Sequence, residues 1–170
     1  MDSFQLEQSQ IEKIVDAIVQ RLQARKNKVH RMSAVELNQV LPLSVYVECG
    51  ALTFHHVSLS HLQQIADGCA SSFLWQTLNT AWTYGVNVTL EIAPNILSNV
   101  PVAPLAALPV NWVCGAKNVT LNAEKVIAYQ NVALLSQQDI LLLRPNAIVT
   151  ALAKDELIAR NITFIKTDAK

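Results

Sequence analysis

Near the start of the chain, apolar residues recur as they would along one face of a helix. They stand three and four residues apart and are Ile11, Ile14, Val15, Ile18, Val19 and Leu22. Ser9 and Glu12 have the spacing of a capping box, in which each side chain satisfies a free backbone amide at the helix start. Arg25 and Lys26 suit the negative end of the helix dipole. The pattern predicts an amphipathic helix that begins near Ser9 and ends near Lys26.

The residues after this helix are mostly polar or basic and continue no periodicity. We therefore expect three parts: an amphipathic docking helix at residues 1–26, a linker at 27–33 and a folded domain at 34–170.

Within the folded domain, helical and strand patterns alternate. The clearest strand is 86–92, where Val88 and Leu90 alternate with Asn87 and Thr89. Helices are expected at 33–41, 60–67, 72–84, 104–108 and 151–160, and strands at 45–54, 86–92, 110–114, 119–121, 126–129, 132–135, 140–143 and 162–165. Segments 119–121 and 126–129 are predicted to form a hairpin. This order favours a single α/β domain on a mixed or largely parallel sheet.

Charge is scarce in the middle of the domain. No lysine or arginine lies between Met32 and Ala116, and the whole chain has a formal net charge of +0. A chain without net charge has no overall field to attract nucleic acid or an anionic membrane. The charge-poor region is either packed beneath a neutral polar surface or presented to a partner, and the sequence leaves both open.

Cysteine usage and hydropathy indicate a cytoplasmic protein. The chain has three cysteines without a C-x-x-C pair, which indicates neither a disulfide framework nor a zinc knuckle. No signal-peptide pattern is seen, and the apolar runs are too short to span a membrane.

The residues do not predict a catalytic site, a metal site or a cofactor. Glycine-rich phosphate loops are absent from a chain with 4 glycines. His55 and His56 point to opposite faces of a strand, and His61 is expected at a helix start rather than on a metal. Cys114 ends a strand, where nucleophiles occur, yet no base lies near it in sequence, so we expect a small buried side chain. Trp75 and Trp82, seven residues apart, fit core packing.

Several short segments carry a family resemblance, and most of them lie in the C-terminal third of the chain. They are VALLS at 132–136, IVTALAKD at 148–155, ARNI at 159–162 and IK at 165–166, with VPV at 100–102, LAALP at 105–109 and IEKIV at 11–15. In these segments the chain resembles the propanediol-utilisation protein M (PduM) family. The resemblance implies a structural or assembly component of a bacterial microcompartment, with shell or cargo proteins as partners and no known catalytic residue.

Two hypotheses follow. In the first, the six apolar helix residues are the partner-binding site and dock into a groove on a shell or cargo protein. The alternatives for this helix are packing on its own domain or pairing with itself in a homo-oligomer. In the second hypothesis, the domain is a cofactor-binding or enzymatic domain inside the microcompartment, with a pocket near Gly85, Pro94 or Cys114. Neither hypothesis involves nucleic acid or a membrane.

Overall fold

The chain begins with a long helix that leads almost directly into a sheet. A computed structural model describes the backbone of residues 2–168 and the side chains of residues 10–168. Helix α1 spans Asp2–Lys26, and strand β1 follows at Val29–Ser33. The helix thus starts before Ser9, so the predicted start at that capping box was wrong.

The remaining elements alternate along the chain. The helices are α2 (Leu43–Glu48), α3 (Leu59–Ala66), α4 (Phe73–Thr83), α5 (Val102–Leu105), α6 (Tyr129–Ala133) and α7 (Ala151–Ala159), with 3-10 turns at Ala34–Glu36 and Pro94–Asn99. The strands are β2 (Ala51–Val57), β3 (Asn87–Ile92), β4 (Val110–Cys114), β5 (Lys117–Asn122), β6 (Val126–Ile127), β7 (Ile140–Leu143), β8 (Ile148–Val149) and β9 (Thr163–Lys166).

Seven strands form one sheet in the order β1-β2-β3-β4-β5-β7-β9, and β6 and β8 form a separate parallel pair. Every neighbouring pair in the large sheet is parallel except β4 and β5. The expectation of an α/β domain on a mixed, largely parallel sheet is confirmed.

The reversal between β4 and β5 places two helical layers on opposite faces. Gly115, with φ +60°, makes the turn. Because crossovers between parallel strands are right-handed, reversing the strand direction moves the connecting helices to the other face. Alternate residues of β7 show the result: Leu142 belongs to the core that contains buried residues of α3, α4 and α5, and Leu141 belongs to the core that contains buried residues of α6 and α7.

The face of β1–β4 that lies away from α3 and α4 is polar. Arg31, Thr53, Thr89 and Asn111 stand in one row across the four strands, and each is exposed or half-buried. This row alternates with buried apolar residues such as Leu90, as predicted for 86–92.

Several predicted helix boundaries are confirmed. Ser72 accepts a hydrogen bond from the Trp75 amide at 3.4 Å, and Thr150 accepts one from the Ala153 amide at 3.3 Å. Helix α3 is capped by Ser58 rather than Ser60. The Ser58 hydroxyl accepts a hydrogen bond from the His61 amide, and the Ser58 amide donates one to the His61 ring.

Five predicted elements were wrong. Segment 33–41 holds only a 3-10 turn at Ala34–Glu36 instead of the expected helix. The first half of segment 45–54 is helix α2, which starts after Pro42 and buries Tyr46 completely, so tertiary packing overrides strand propensity. Segment 132–135 begins in helix α6 rather than in a strand. The hairpin of 119–121 with 126–129 does not form, because β5 pairs with β4 and β7. Val29–Ser33, inside the predicted linker 27–33, is an edge strand held by backbone pairing to β2.

The last helix is tied to α6 through one arginine. The Arg160 guanidinium donates to the carbonyls of Ala133 and Leu135, at 2.9 and 3.0 Å, and pairs with Glu156 on its own helix. Asn161 then ends the helix with φ 54°.

Candidate functional site

The predicted partner-binding residues form one exposed stripe on α1. Their exposed fractions run from 43% for Val19 to 60% for Ile11 and Ile14. Val15, Ile18 and Leu22 lie between these values, at 50%, 52% and 55%. No other described element of the chain covers them, so this stripe is not packed on its own domain.

The C-terminal end of α1 is seated on the sheet. Arg25 donates from Nε to the Cys49 carbonyl at 2.9 Å and from its terminal nitrogen to the Tyr84 carbonyl at 2.6 Å. Both carbonyls lie just before strands, at the edge of the sheet where β2 and β3 begin. Gly50 lets the helix approach, because a β-carbon there would lie 2.7 Å from the Arg25 carbonyl oxygen.

A groove opens where the apolar stripe reaches the domain. It has a volume of about 530 Å³ and lies between α1 and α2. Ile18, Leu22 and Val47 give it apolar walls, and Arg21 and Lys28 line it with charge. Lys28 forms an exposed ion pair with Glu48 at 3.3 Å, which contributes little to stability because solvent screens it.

Sequence reasoning missed the α2 side of this groove. The β-branched and aromatic side chains of residues 45–54 predict a strand, whereas Val47, 56% exposed, lies on helix α2. The available signal was Pro42, which ends one extended segment and precedes the first turn of α2.

His56 and His61 have structural partners. His56 lies at a strand irregularity with φ 55°, and its Nδ1 is 3.3 Å from the Ser33 hydroxyl. His61 sits at the first turn of α3 and accepts from the Ser58 amide at 3.2 Å, and burial lowers its pKa. Among residues whose side chains are described, no three His, Cys, Asp or Glu groups come together as a metal site.

A cleft of about 610 Å³ lies at the carboxyl ends of β1–β4. Pro94 and Cys114 line it, together with Arg31, His55 and Glu91. Burial, with a smaller contribution from Glu91, raises the pKa of the Cys114 thiol, which disfavours the thiolate nucleophile at neutral pH. The cleft offers charged groups of both signs, which could orient a polar ligand.

The tryptophans of α4 belong to the packing of the domain. Trp75 and Trp82 meet edge to face with ring centroids 5.8 Å apart, and both pack against the main core.

Charged residues are interspersed among the apolar residues of helix α1, and none of the described helices is long and apolar enough to cross a bilayer.

Comparison with known proteins identifies the family. A family model described as "propanediol utilisation" matches residues 13–163. The "Bacterial microcompartment assembly protein PduM" of Citrobacter freundii is 30% identical over 159 residues, which cover 93% of this chain and 97% of that protein. The protein of the same description from Salmonella typhimurium matches with the same identity and coverage. No solved structure matches the chain. The family match over residues 13–163 and the 30% identity over 93% of the chain show that it belongs to the PduM family of propanediol-utilisation proteins.

Proposed function

We propose that this protein is a structural component in the assembly of a bacterial microcompartment, and that it docks onto a shell or cargo protein through the apolar stripe of α1. The observation that carries the docking is the exposure of six apolar side chains on one helix face. The assembly role and its setting come from what the two relatives are called.

The exposed stripe is large enough to support docking. Complete burial of a Val, Leu or Ile side chain stabilises by about 1.5–3 kcal/mol, so covering the exposed half of six such residues gains about 5–9 kcal/mol. Association costs several kcal/mol in lost freedom of the two partners. The stripe alone therefore gives modest affinity, and a well-shaped groove with polar contacts at its rim is needed for a tight complex.

The attachment of α1 suits this role because docking does not compete with folding. None of the described side chains of α1 belongs to either core of the domain. A partner can thus cover the stripe without disturbing the packing beneath the sheet.

The test places one aspartate on each face of α1. Ile14→Asp puts a charge in the stripe, and Gln20→Asp puts the same charge on the opposite face of the helix. In cells that form the propanediol-utilisation microcompartment, a fluorescent fusion carrying Gln20→Asp should co-localise and co-purify with the organelle like the unchanged protein. Ile14→Asp should lose both properties, as should a deletion of residues 2–23, which keeps Arg25. Normal co-localisation of Ile14→Asp would show that the stripe does not dock.

The second candidate is a cofactor-binding or enzymatic domain within the microcompartment. The cleft at the carboxyl ends of β1–β4 favours it, because open α/β sheets bind ligands there. Native mass spectrometry and absorbance spectra of the purified protein test this candidate. A retained ligand that is lost in Arg31→Ala supports it, whereas a colourless protein of the polypeptide mass argues against it.

A further inference from the structure

We infer that α1 pairs with α1 of a second copy, antiparallel, around a two-fold axis that passes between residues 16 and 17. This inference goes beyond the proposed function because it concerns the protein in the absence of any microcompartment partner. It rests on the symmetry of the stripe, on the distribution of charge along α1 and on the groove at its base.

The apolar positions of the stripe are arranged symmetrically about its centre. Its members fall into three pairs equidistant from the midpoint of residues 16 and 17, and these pairs are Ile11 with Leu22, Ile14 with Val19, and Val15 with Ile18. In an antiparallel pair, each residue lies at the height of the other member of its pair on the partner helix. All six positions of one helix then meet an apolar side chain, as alternating layers do in antiparallel coiled coils. An interface of this kind is self-complementary, which a two-fold dimer requires.

Charge along α1 is segregated in the way that favours the antiparallel arrangement. Residues 1–16 contain one cation, Lys13, and the carboxylates of Asp2, Glu7, Glu12 and Asp16. From Ala17 to Lys26 it contains Arg21, Arg25 and Lys26 and no carboxylate. Antiparallel helices place the acidic half of one copy beside the basic half of the other. A parallel pair would place like charges together, which is unfavourable.

The groove provides room for the partner helix where it reaches the domain. In the register about residues 16 and 17, backbone positions 2–10 of the second copy run beside positions 31–23 of the first. This stretch passes the groove of about 530 Å³ between α1 and α2, whose walls include Ile18, Leu22 and Val47. The apolar surface therefore continues from the stripe into the groove without a break, and the cations along it meet the acidic half of the partner helix.

Oligomeric state measured with the purified full-length chain tests the pairing. Sedimentation equilibrium should show a dimer, and Ile18→Asp should weaken dimerisation at least about a hundredfold, because two carboxylates per dimer enter the apolar layers. Gln20→Asp adds the same charge to the opposite face and should leave the dimer intact. A chain that stays monomeric at 100 µM, a concentration on the order of that needed for weak pairing, overturns the inference.

Two charge variants test the electrostatic part. Arg21→Glu with Lys26→Glu gives both halves of the helix a net negative charge, and Glu12→Lys with Asp16→Lys gives both halves a net positive charge. Each variant alone should dimerise about tenfold more weakly at low salt, since surface charge pairs contribute modestly. An equimolar mixture should form a mixed dimer. Equal dimerisation of all these proteins would contradict the assigned charge complementarity.

Cysteine cross-linking tests the orientation in a background in which Cys49 and Cys69 are replaced by serine. Ile11→Cys mixed with Leu22→Cys should form a disulfide-linked dimer under a mild oxidant such as oxidised glutathione, whereas each variant alone should not. Cross-linking of Leu22→Cys with itself would indicate a parallel pair and overturn the inference. These experiments use purified protein only, so their failure leaves microcompartment docking open. Failure of co-localisation likewise leaves the dimer untouched.

Discussion

Gly50 is the residue whose replacement should report most directly on how α1 is attached. An alanine β-carbon at this position would lie 2.7 Å from the Arg25 carbonyl oxygen and 3.0 Å from the Lys26 α-carbon. Ordinary carbon–oxygen contacts are about 3.3 Å or longer, so the helix end has to move by about 0.6 Å. Overpacking of this kind costs about 1–3 kcal/mol. Reduced freedom of the unfolded chain offsets about 0.4–1 kcal/mol of this cost.

The net effect of Gly50→Ala should be a loss of about 1–2 kcal/mol in the free energy of unfolding. With a urea dependence of about 2 kcal/mol per molar, the midpoint falls by about 0.5–1 M. The fluorescence of the 3 tryptophans, all of which lie after Gly50, follows unfolding of the domain.

The matched control is the same substitution in a chain that lacks residues 2–26. The contacting atoms of Arg25 and Lys26 are then absent, so Gly50→Ala should be neutral or stabilise by up to about 1 kcal/mol. An equal loss in the full chain and in the shortened chain would refute the view that Gly50 is needed for the approach of α1.

Three further predictions concern the body of the protein. Leu90→Ala, in the fully buried face of β3, should lower the free energy of unfolding by about 2–5 kcal/mol in urea titrations. Arg160→Ala should raise hydrogen exchange in α6, because two carbonyls of that region lose a charged donor, each such bond contributing about 1.5–3 kcal/mol; unchanged exchange would contradict that role. A hydrogen bond from Ser71 lowers the pKa of the Cys69 thiol, so more thiolate is present at pH 7.5, and iodoacetamide should modify Cys69 before buried Cys114. Ser71→Ala should slow modification of Cys69, as followed by mass spectrometry, and an unchanged rate would exclude this cause.

Local patterns predicted the elements whose structure depends on neighbouring residues. The stripe of α1 follows from spacing alone, and strand β3 follows from the alternation of Val88 and Leu90 with polar residues. The caps at Ser72 and Thr150 are likewise local, since each side chain bonds within its own first turn.

Elements that depend on distant partners could not be predicted in the same way. Strand β1 contains His30 and Arg31 among few apolar residues, and it is a strand because β2 supplies its hydrogen bonds. Helix α2 has a strand-like composition, yet Tyr46 is buried in the core when this segment is helical. The same error concealed Val47, so the groove beside the stripe was predictable on one side only.

The joint between α1 and the sheet determines what the helix can transmit. Only Asn27 and Lys28 separate α1 from β1, and Arg25 fixes the helix end to two carbonyls. A flexible tether would raise the local concentration of a bound protein without setting its direction. Helix α1 differs from such a tether. It has 25 residues, is about 37 Å long and leads after two residues into an edge strand, so its direction relative to the sheet is fixed. If a partner binds the stripe as proposed, it is therefore held at a set distance and in a set direction from the sheet.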